Sequence, residues 1–322
     1  MNPVIDEIIQ EMLIVLDNSQ LLQLKQVLKQ KLGNTSGKHP EIKNEKYISD
    51  YLAAKQVEGC SDKTIKYYQA TLIMMSTSLK KNVQKITTED LRKYLGEYQK
   101  SRHSSRVTVD NIRRIFSSFF SWLEDENFII KSPVRRIHKV KSSTKVKETY
   151  TDEDLERLRD SCKTKRDIAL IDVLASTGMR VGELVNLNIN DINFEERECV
   201  VVGKGNKQRM VYFDAKSKIH LLNYLSNRHD SNPALFVSLH LPHQRMSING
   251  IEGRLKKLGK KIGLEKVHPH KFRRTLATNA IDKGMPIEQV QKLLGHERID
   301  TTLHYAMVKQ SNVKIAHRRF IG

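Results

Sequence analysis

The sequence predicts a mainly α-helical protein with one small antiparallel β-sheet in its second half, an α+β arrangement spread over two domains. Three observations predict it. Apolar residues recur at spacings of three and four along most of the chain. Val200–Val202 and Met210–Phe213 are β-like and flank Gly203–Arg209, which reads as a hairpin. Finally, residues 131–147 (KSPVRRIHKVKSSTKVK) are rich in Lys and Arg, hold a Pro and several Ser, and lack any acid, which reads as a basic linker between two folded regions.

The bulk properties bound the function. A chain of 322 residues suffices for two domains with separate cores. No apolar run approaches the length of a membrane span, and the first ten residues carry acids where a secretory signal would carry bases. Cys60, Cys162 and Cys199 lie far apart with no C-x-x-C pair, so they read as free thiols in a reducing, cytoplasmic setting rather than a disulfide frame or zinc site. The formal net charge of +19 suits a polyanionic partner, because neutralising phosphates releases condensed counterions. Its distribution is uneven. Residues 1–40 are neutral, with Lys25, Lys29, Lys31 and Lys38 against Asp6, Glu7, Glu11 and Asp17. Residues 41–150 hold 22 bases against 13 acids, and residues 151–322 hold 30 against 20.

The elements follow in order. Ile5, Ile8, Ile9, Met12, Leu13, Val15 and Leu16, then Leu21, Leu22, Leu24, Val27, Leu28 and Leu32, mark one or two amphipathic helices in an N-terminal extension over 1–40. Gly33 to His39 reads as a linker. The first domain, 41–130, reads as helical. Ser61 starts a helix with Tyr67, Leu72 and Met75 along its inner side. Thr87 and Thr88 cap another that carries Leu91, Tyr94 and Leu95. Ile112, Ile115, Phe116, Phe119, Phe120 and Leu123 then form an apolar stripe, with Arg102, Arg106, Arg113 and Arg114 on or just before the same helix. These arginines, with Arg135, Arg136, Lys139 and Lys141 in the linker, are the expected backbone-binding residues. A solvated basic face and a plain hinge are the simpler alternatives.

The second domain spans 148–322. Thr151 and Asp154 form a capping-box start. A helix through Ile168 to Ala175 ends at Gly178, and a short helix resumes over Arg180 to Leu187. After the hairpin, helices are expected at about 215–228, 247–262, 270–283, 287–294 and 300–308, with Pro286 at a start.

Five local patterns in this domain carry chemistry. In Ser176-Thr177-Gly178-Met179-Arg180-Val181-Gly182-Glu183, Arg180 and Glu183 stand at i,i+3, so a carboxylate can orient a guanidinium onto a phosphate; taken alone, a surface ion pair is the simpler account. Gly203-Lys204-Gly205-Asn206-Lys207 puts Lys204 at a hairpin tip, with Lys207 beside it; the order is not that of a Walker A loop. His270 and Arg273 share a helix face in His268-Pro269-His270-Lys271-Phe272-Arg273-Arg274. His296 follows Leu293-Leu294-Gly295, and Tyr305 closes Thr301-Thr302-Leu303-His304-Tyr305, nine residues later. A zinc site built on His268, His270 and His296 lacks a carboxylate partner or an HExxH pattern, so no metal is expected.

In this order and spacing the five patterns resemble the active site of the tyrosine recombinases, the lambda-integrase or Xer-like family. STGMRVGELVNL resembles its first-arginine motif, GKGNKQR its lysine hairpin, HPHKFRRTLAT its His-x-x-Arg box and LLGHERIDTTLHY its terminal box. The likeness is strong over about 148–308. It is weak over 44–130, where SDKTIKYY and the Phe-rich helix resemble the family's core-binding, SAM-like domain. One departure is Arg274, where many members carry His; it is not a catalytic position.

The resemblance implies a two-domain, C-shaped clamp on double-stranded DNA that cuts and rejoins strands through a 3′-phosphotyrosine. It implies Tyr305 as nucleophile, Arg180 and Arg273 as clamps on the non-bridging oxygens, His270 as base, His296 as hydrogen-bond donor to the phosphate and Lys204 as acid, with Glu183 holding Arg180 or a histidine. Neither metal nor nucleotide cofactor is expected, since the phosphotyrosine stores the energy of the broken bond. The tail after Tyr305, with Val313, Ile315 and Phe320, is expected to form a helix exchanged between protomers of a tetramer. Residues 1–40 are expected to contact protein, for oligomer control or an accessory factor, rather than DNA. Integration or excision, dimer resolution and DNA inversion all stay open as tasks, and the extra segment tilts the expectation toward a mobile-element or phase-variation enzyme over housekeeping resolution. The protein is expected at the bacterial nucleoid. A type IB topoisomerase-like relaxing enzyme and a non-catalytic DNA-binding protein of the same fold are the alternatives.

Overall fold

The computed structural model describes residues 3–32, 43–141, 148–203 and 207–303. Lys204, Tyr305, the tail after it, the 33–39 linker and residues 142–147 lie outside the described residues. The chain divides into two compact units, 1–144 and 145–322. No helix among the described residues is long and apolar enough to cross a membrane.

Among the described residues of the first unit the regular elements are all helices. Helix α1 (Pro3–Met12) and helix α2 (Asn18–Leu32) pair through Ile5, Ile9 and Leu21, and Ile130 closes on the same cluster. The Lys131 backbone N–H donates to Asn18 Oδ1 at 2.8 Å, and Lys131 Nζ donates to the Leu13 carbonyl at 3.1 Å. The extension therefore folds onto its own unit.

Helices α3 (Asn44–Val57), α4 (Asp62–Leu79), α5 (Thr88–Ser101) and α6 (Arg106–Asp125) enclose a core led by Tyr47, Tyr51, Leu72, Met75, Phe116, Phe119 and Phe120. The sequence states the starts of three of them. Ser61 Oγ accepts from the Thr64 N–H, Thr87 and Asp90 form a reciprocal capping box, and Ser105 Oγ accepts from the Thr108 N–H. The α6 stripe from Ile112 to Leu123 is buried throughout, and burying each such side chain contributes roughly 1.5–3 kcal/mol.

Tyr67 is 47% exposed, because it lies five residues from Leu72, well off the buried face at 3.6 residues per turn. Tyr68, four before Leu72 and seven before Met75, occupies the inner side and stacks on Tyr51 at 6.3 Å. The basic stretch from residue 131 is not an extended linker over its first ten residues. Ser132 and Val134 are buried, Ile137 and Val140 pack against the core, and the Val140 N–H donates to Asp110 Oδ1 at 3.1 Å. Its apolar residues, spaced three apart between the bases, bury themselves on the helical unit.

In the second unit, helix α8 (Lys165–Thr177) packs against α7 (Asp152–Asp160), α10 (Ala215–Leu225) and α12 (Pro269–Asp282). Gly178 terminates α8 in the left-handed region at φ 58°, where a Cβ would come 2.6 Å from Leu276 Cδ2. The remaining helices are α9 (Val181–Asn186), α11 (Ile248–Lys261), α13 (Ile287–Leu294) and α14 (Ile299–Leu303).

The hairpin is present as β2 (Glu198–Val202) and β3 (Gln208–Tyr212), paired antiparallel with Cys199 opposite Val211 and Val201 opposite Arg209. A third strand, β1 (Ile192–Asn193), pairs with β2 and was not expected, since two residues are too short to show a period. At the start of the unit, the Tyr150 N–H donates to Thr275 Oγ1 at 2.9 Å, and Lys271 Nζ sits 4.5 Å from the Tyr150 ring centroid.

Candidate active site

The site forms where α9, the base of the hairpin, the first turns of α12 and the end of α13 meet, all within the second unit. Arg180 does not sit on a helix face, as the i,i+3 spacing suggested, but at the N-cap position of α9, directly after the Gly178 break. Its backbone N–H donates to Glu183 Oε2 at 2.7 Å and its Nη1 to Glu183 Oε1 at 2.8 Å. Arg180 Nη2 reaches the Gly295 carbonyl at 3.3 Å. Glu183 is 4% exposed, so this is no surface ion pair. Burial alone raises its pKa, but hydrogen bonds from Arg209 and Arg180 outweigh that and hold it below the ordinary carboxylate range.

Arg273, on the first turns of α12, is 3% exposed. Its Nη1 donates to the Gly178 carbonyl at 2.7 Å and its Nη2 to the Leu294 carbonyl. The two arginines, 93 residues apart in number, thus converge on the same short stretch before His296. His296 follows the left-handed Gly295 that ends α13, and its Nδ1 lies 2.9 Å from Oγ1 of the fully buried Thr302. Burial, then Arg273, Arg180 and Arg209, push its pKa down to about 4, so the imidazole is neutral at pH 7.

His270 lies at the surface in the first turn of α12, which starts with Pro269 at N1. Partial desolvation of its ring by the surrounding chain, then Arg273, lowers its pKa, with Arg180 and Arg274 adding to the effect. Both histidines therefore stand in the field of both arginines. Among the described residues, no group of three or more His, Cys, Asp or Glu could hold a metal ion.

One site residue was not singled out from the sequence. Arg209, on β3, donates from Nη1 and Nη2 to both oxygens of Glu183, at 2.6 and 2.7 Å. A signal for it existed. Arg209, Val211 and Phe213 alternate on one face, so an arginine occupies an inward position of a half-buried strand. Lys207, expected to bind a backbone, is exposed and pairs with Glu297 at 2.6 Å.

The expected backbone-binding residues of the first unit differ in character. Arg102, Arg106, Arg114, Arg135, Arg136, Lys139 and Lys141 are exposed, with Arg102 also lying over the Tyr98 ring at 5.1 Å. The Arg113 side chain is only 15% exposed and donates to Asp110 Oδ1 at 2.9 Å, whereas Arg114, at 63%, reaches Asp110 Oδ2 at 3.2 Å. Arg135 pairs with Glu124.

Comparison with known proteins follows the same division. The sequence profile of the phage integrase family matches residues 148–312, and that of the phage integrase N-terminal SAM-like domain matches 47–130. The chain is 30% identical over 295 residues to the tyrosine recombinase XerC of Oceanobacillus iheyensis, covering 85% of this chain and 95% of that one. It is 31% identical over 282 residues to XerC of Staphylococcus aureus, covering 82% and 92%. Among solved structures, the XerH site-specific recombinase bound to a palindromic difH substrate after cleavage shares the fold, with a TM-score of 0.68 at 21% identity over 97% of this chain and 93% of that one.

Proposed function

The chain belongs to the phage integrase family, and from that premise we propose that Tyr305 is the nucleophile of its DNA-cutting reaction. The protein is a tyrosine-type site-specific recombinase acting on DNA, which cuts and rejoins strands through a 3′-phosphotyrosine. The relaxing-enzyme and non-catalytic alternatives give way to it.

The convergence of three sequence-distant motifs supports the assignment of roles: Arg180 and Arg273 both donate to the stretch that carries His296. In the proposed step, the Tyr305 oxygen attacks phosphorus and the bond to the 5′ oxygen breaks. A phenol with a pKa near 10 needs a base or a cationic setting to attack at neutral pH. His270, whose pKa is lowered, takes that proton. Arg180 and Arg273 stabilise the charge that builds on the non-bridging oxygens, and a neutral His296 donates one N–H to them. Lys204 protonates the leaving oxygen. An incoming 5′-hydroxyl reverses the step and restores the tyrosine, so strand exchange proceeds without a nucleotide cofactor.

We further propose that the protein works as a tetramer coupled through the tail after Tyr305. Residues 1–40 contact protein, with Ile14, Val15 and Val27 exposed for that role among the described residues. The test is a nicked suicide substrate incubated with protein in EDTA. Wild type is expected to give a denaturation-resistant adduct and Tyr305→Phe none, with DNA binding retained in both. Equal adduct from Tyr305→Phe would reject the nucleophile.

A further inference from the structure

Glu183 is the hub of the site. It is buried, and it receives Arg180 through both backbone and guanidinium and Arg209 through both terminal nitrogens. The two arginines come from different elements: Arg180 from the start of α9, Arg209 from β3. Arg209 is itself fixed from the other side. Its Nε donates to the Leu293 carbonyl at 3.3 Å, and its side chain fills the space where Gly295 has no Cβ. A Cβ at Gly295 would stand 2.6 Å from Arg209 Cδ. The carbonyl of that same glycine accepts from Arg180. Arg209 therefore touches both anchors of Arg180, the Glu183 carboxylate and the Gly295 segment, and its side chain is only 12% exposed.

We propose that Arg209 is a positioning residue for the reaction, which acts through Glu183 to hold the Arg180 guanidinium in its phosphate-clamping orientation. Without Arg209 the carboxylate would be held against rotation about its last torsion only by the Arg180 backbone N–H and by the same guanidinium it has to orient. When a second planar guanidinium engages both oxygens, the carboxylate plane is fixed, and so is the partner on its other side. Lysine at position 209 would supply the charge but not the two-point grip. This inference rests on the clamp role proposed above for Arg180.

The experiment compares Arg209→Met, Arg209→Lys and Arg180→Ala with wild type in the full-length protein. Single-turnover cleavage is followed on two nicked suicide substrates, one with an ordinary phosphodiester at the scissile position and one with a methylphosphonate. The methylphosphonate lacks one non-bridging charge and so depends less on the clamp. Thermal melting and DNA affinity are recorded for each variant.

On the phosphodiester, Arg209→Met is expected to cleave roughly 10- to 100-fold more slowly, the range known for loss of an outer partner of a metal ligand and taken here by analogy, and Arg209→Lys to recover only part of the loss. On the methylphosphonate the deficit of Arg209→Met shrinks in step with that of Arg180→Ala. If Arg180→Ala is relieved and Arg209→Met is slowed equally on both substrates, Arg209 is merely structural and the inference is overturned. If Arg180→Ala itself gains nothing from the methylphosphonate, it is the clamp role of Arg180 that fails. Should Arg209→Met not fold, Arg209→Lys carries the same comparison.

Discussion

Arg180 donates to Glu183 twice, once from its own backbone N–H and once from its guanidinium, so a helix cap and a buried ion pair are one structure. The orientation of the guanidinium thus depends on the start of α9, and any change to the carboxylate alters both.

Glu183→Ala is accordingly expected to cost stability as well as activity. Removing the carboxylate leaves Arg180 and the nearly buried Arg209 without their shared counter-charge, which costs about 3–5 kcal/mol for a buried pair. Urea unfolding measures it. A loss below about 1 kcal/mol, the range of exposed pairs, would show that solvent already screens the site.

Gly295→Ala tests the close approach of Arg209. The residue has φ 62°, and the added Cβ meets Arg209 Cδ at 2.6 Å. Backbone strain alone costs on the order of 1–3 kcal/mol, and displacement of Arg209 adds a loss of cleavage. Cleavage at the wild-type rate in a folded Gly295→Ala protein would mean that Arg209 can move aside without consequence.

The pH dependence of stability carries a signature of His296. Its folded pKa of about 4 lies below the ordinary 6.5, so between those values the unfolded chain binds the extra proton. Its contribution is fully present above pH 6.5 and is lost as pH falls toward 4. Wild type is therefore expected to lose more stability from pH 6.5 to 4.5 than His296→Gln. Parallel curves in chemical denaturation would exclude a depressed pKa.

Arg113 and Arg114, neighbours in sequence, are expected to separate by experiment. Arg114→Ala, at an exposed position, weakens DNA binding and lowers the salt slope by about one. Arg113→Ala, which removes a mostly buried partner of Asp110, lowers the melting temperature of the unit instead. Filter binding across a salt series and a melting curve for each variant distinguish them.

Much of this architecture was legible in the chain. The α6 stripe, the caps at Ser61, Thr87 and Thr151, the stop at Gly178 and the β2–β3 hairpin all rest on contacts within a few residues, where helical and strand periods and side-chain capping act. Tyr67 departs from the expected inner side because its aromatic type favours burial while its five-residue offset from Leu72 turns it off the buried face. The stretch from 131 combines a basic composition, which resembles that of a linker, with Val134, Ile137 and Val140 at spacings of three, and it is this apolar set that packs on the helical unit.

The sequence by itself determined the helical elements, the hairpin and the identities of the arginines, histidines and carboxylate that carry the family likeness, since these depend on residue type and local spacing. The tertiary structure alone decided that Glu183 is buried between Arg180 and Arg209, that Arg180 and Arg273 meet at the stretch before His296, and that His296 is held neutral. Burial and charge proximity between groups tens of residues apart arise from packing α9, β3, α12 and α13 together, and no local period encodes which of their side chains will share a carboxylate.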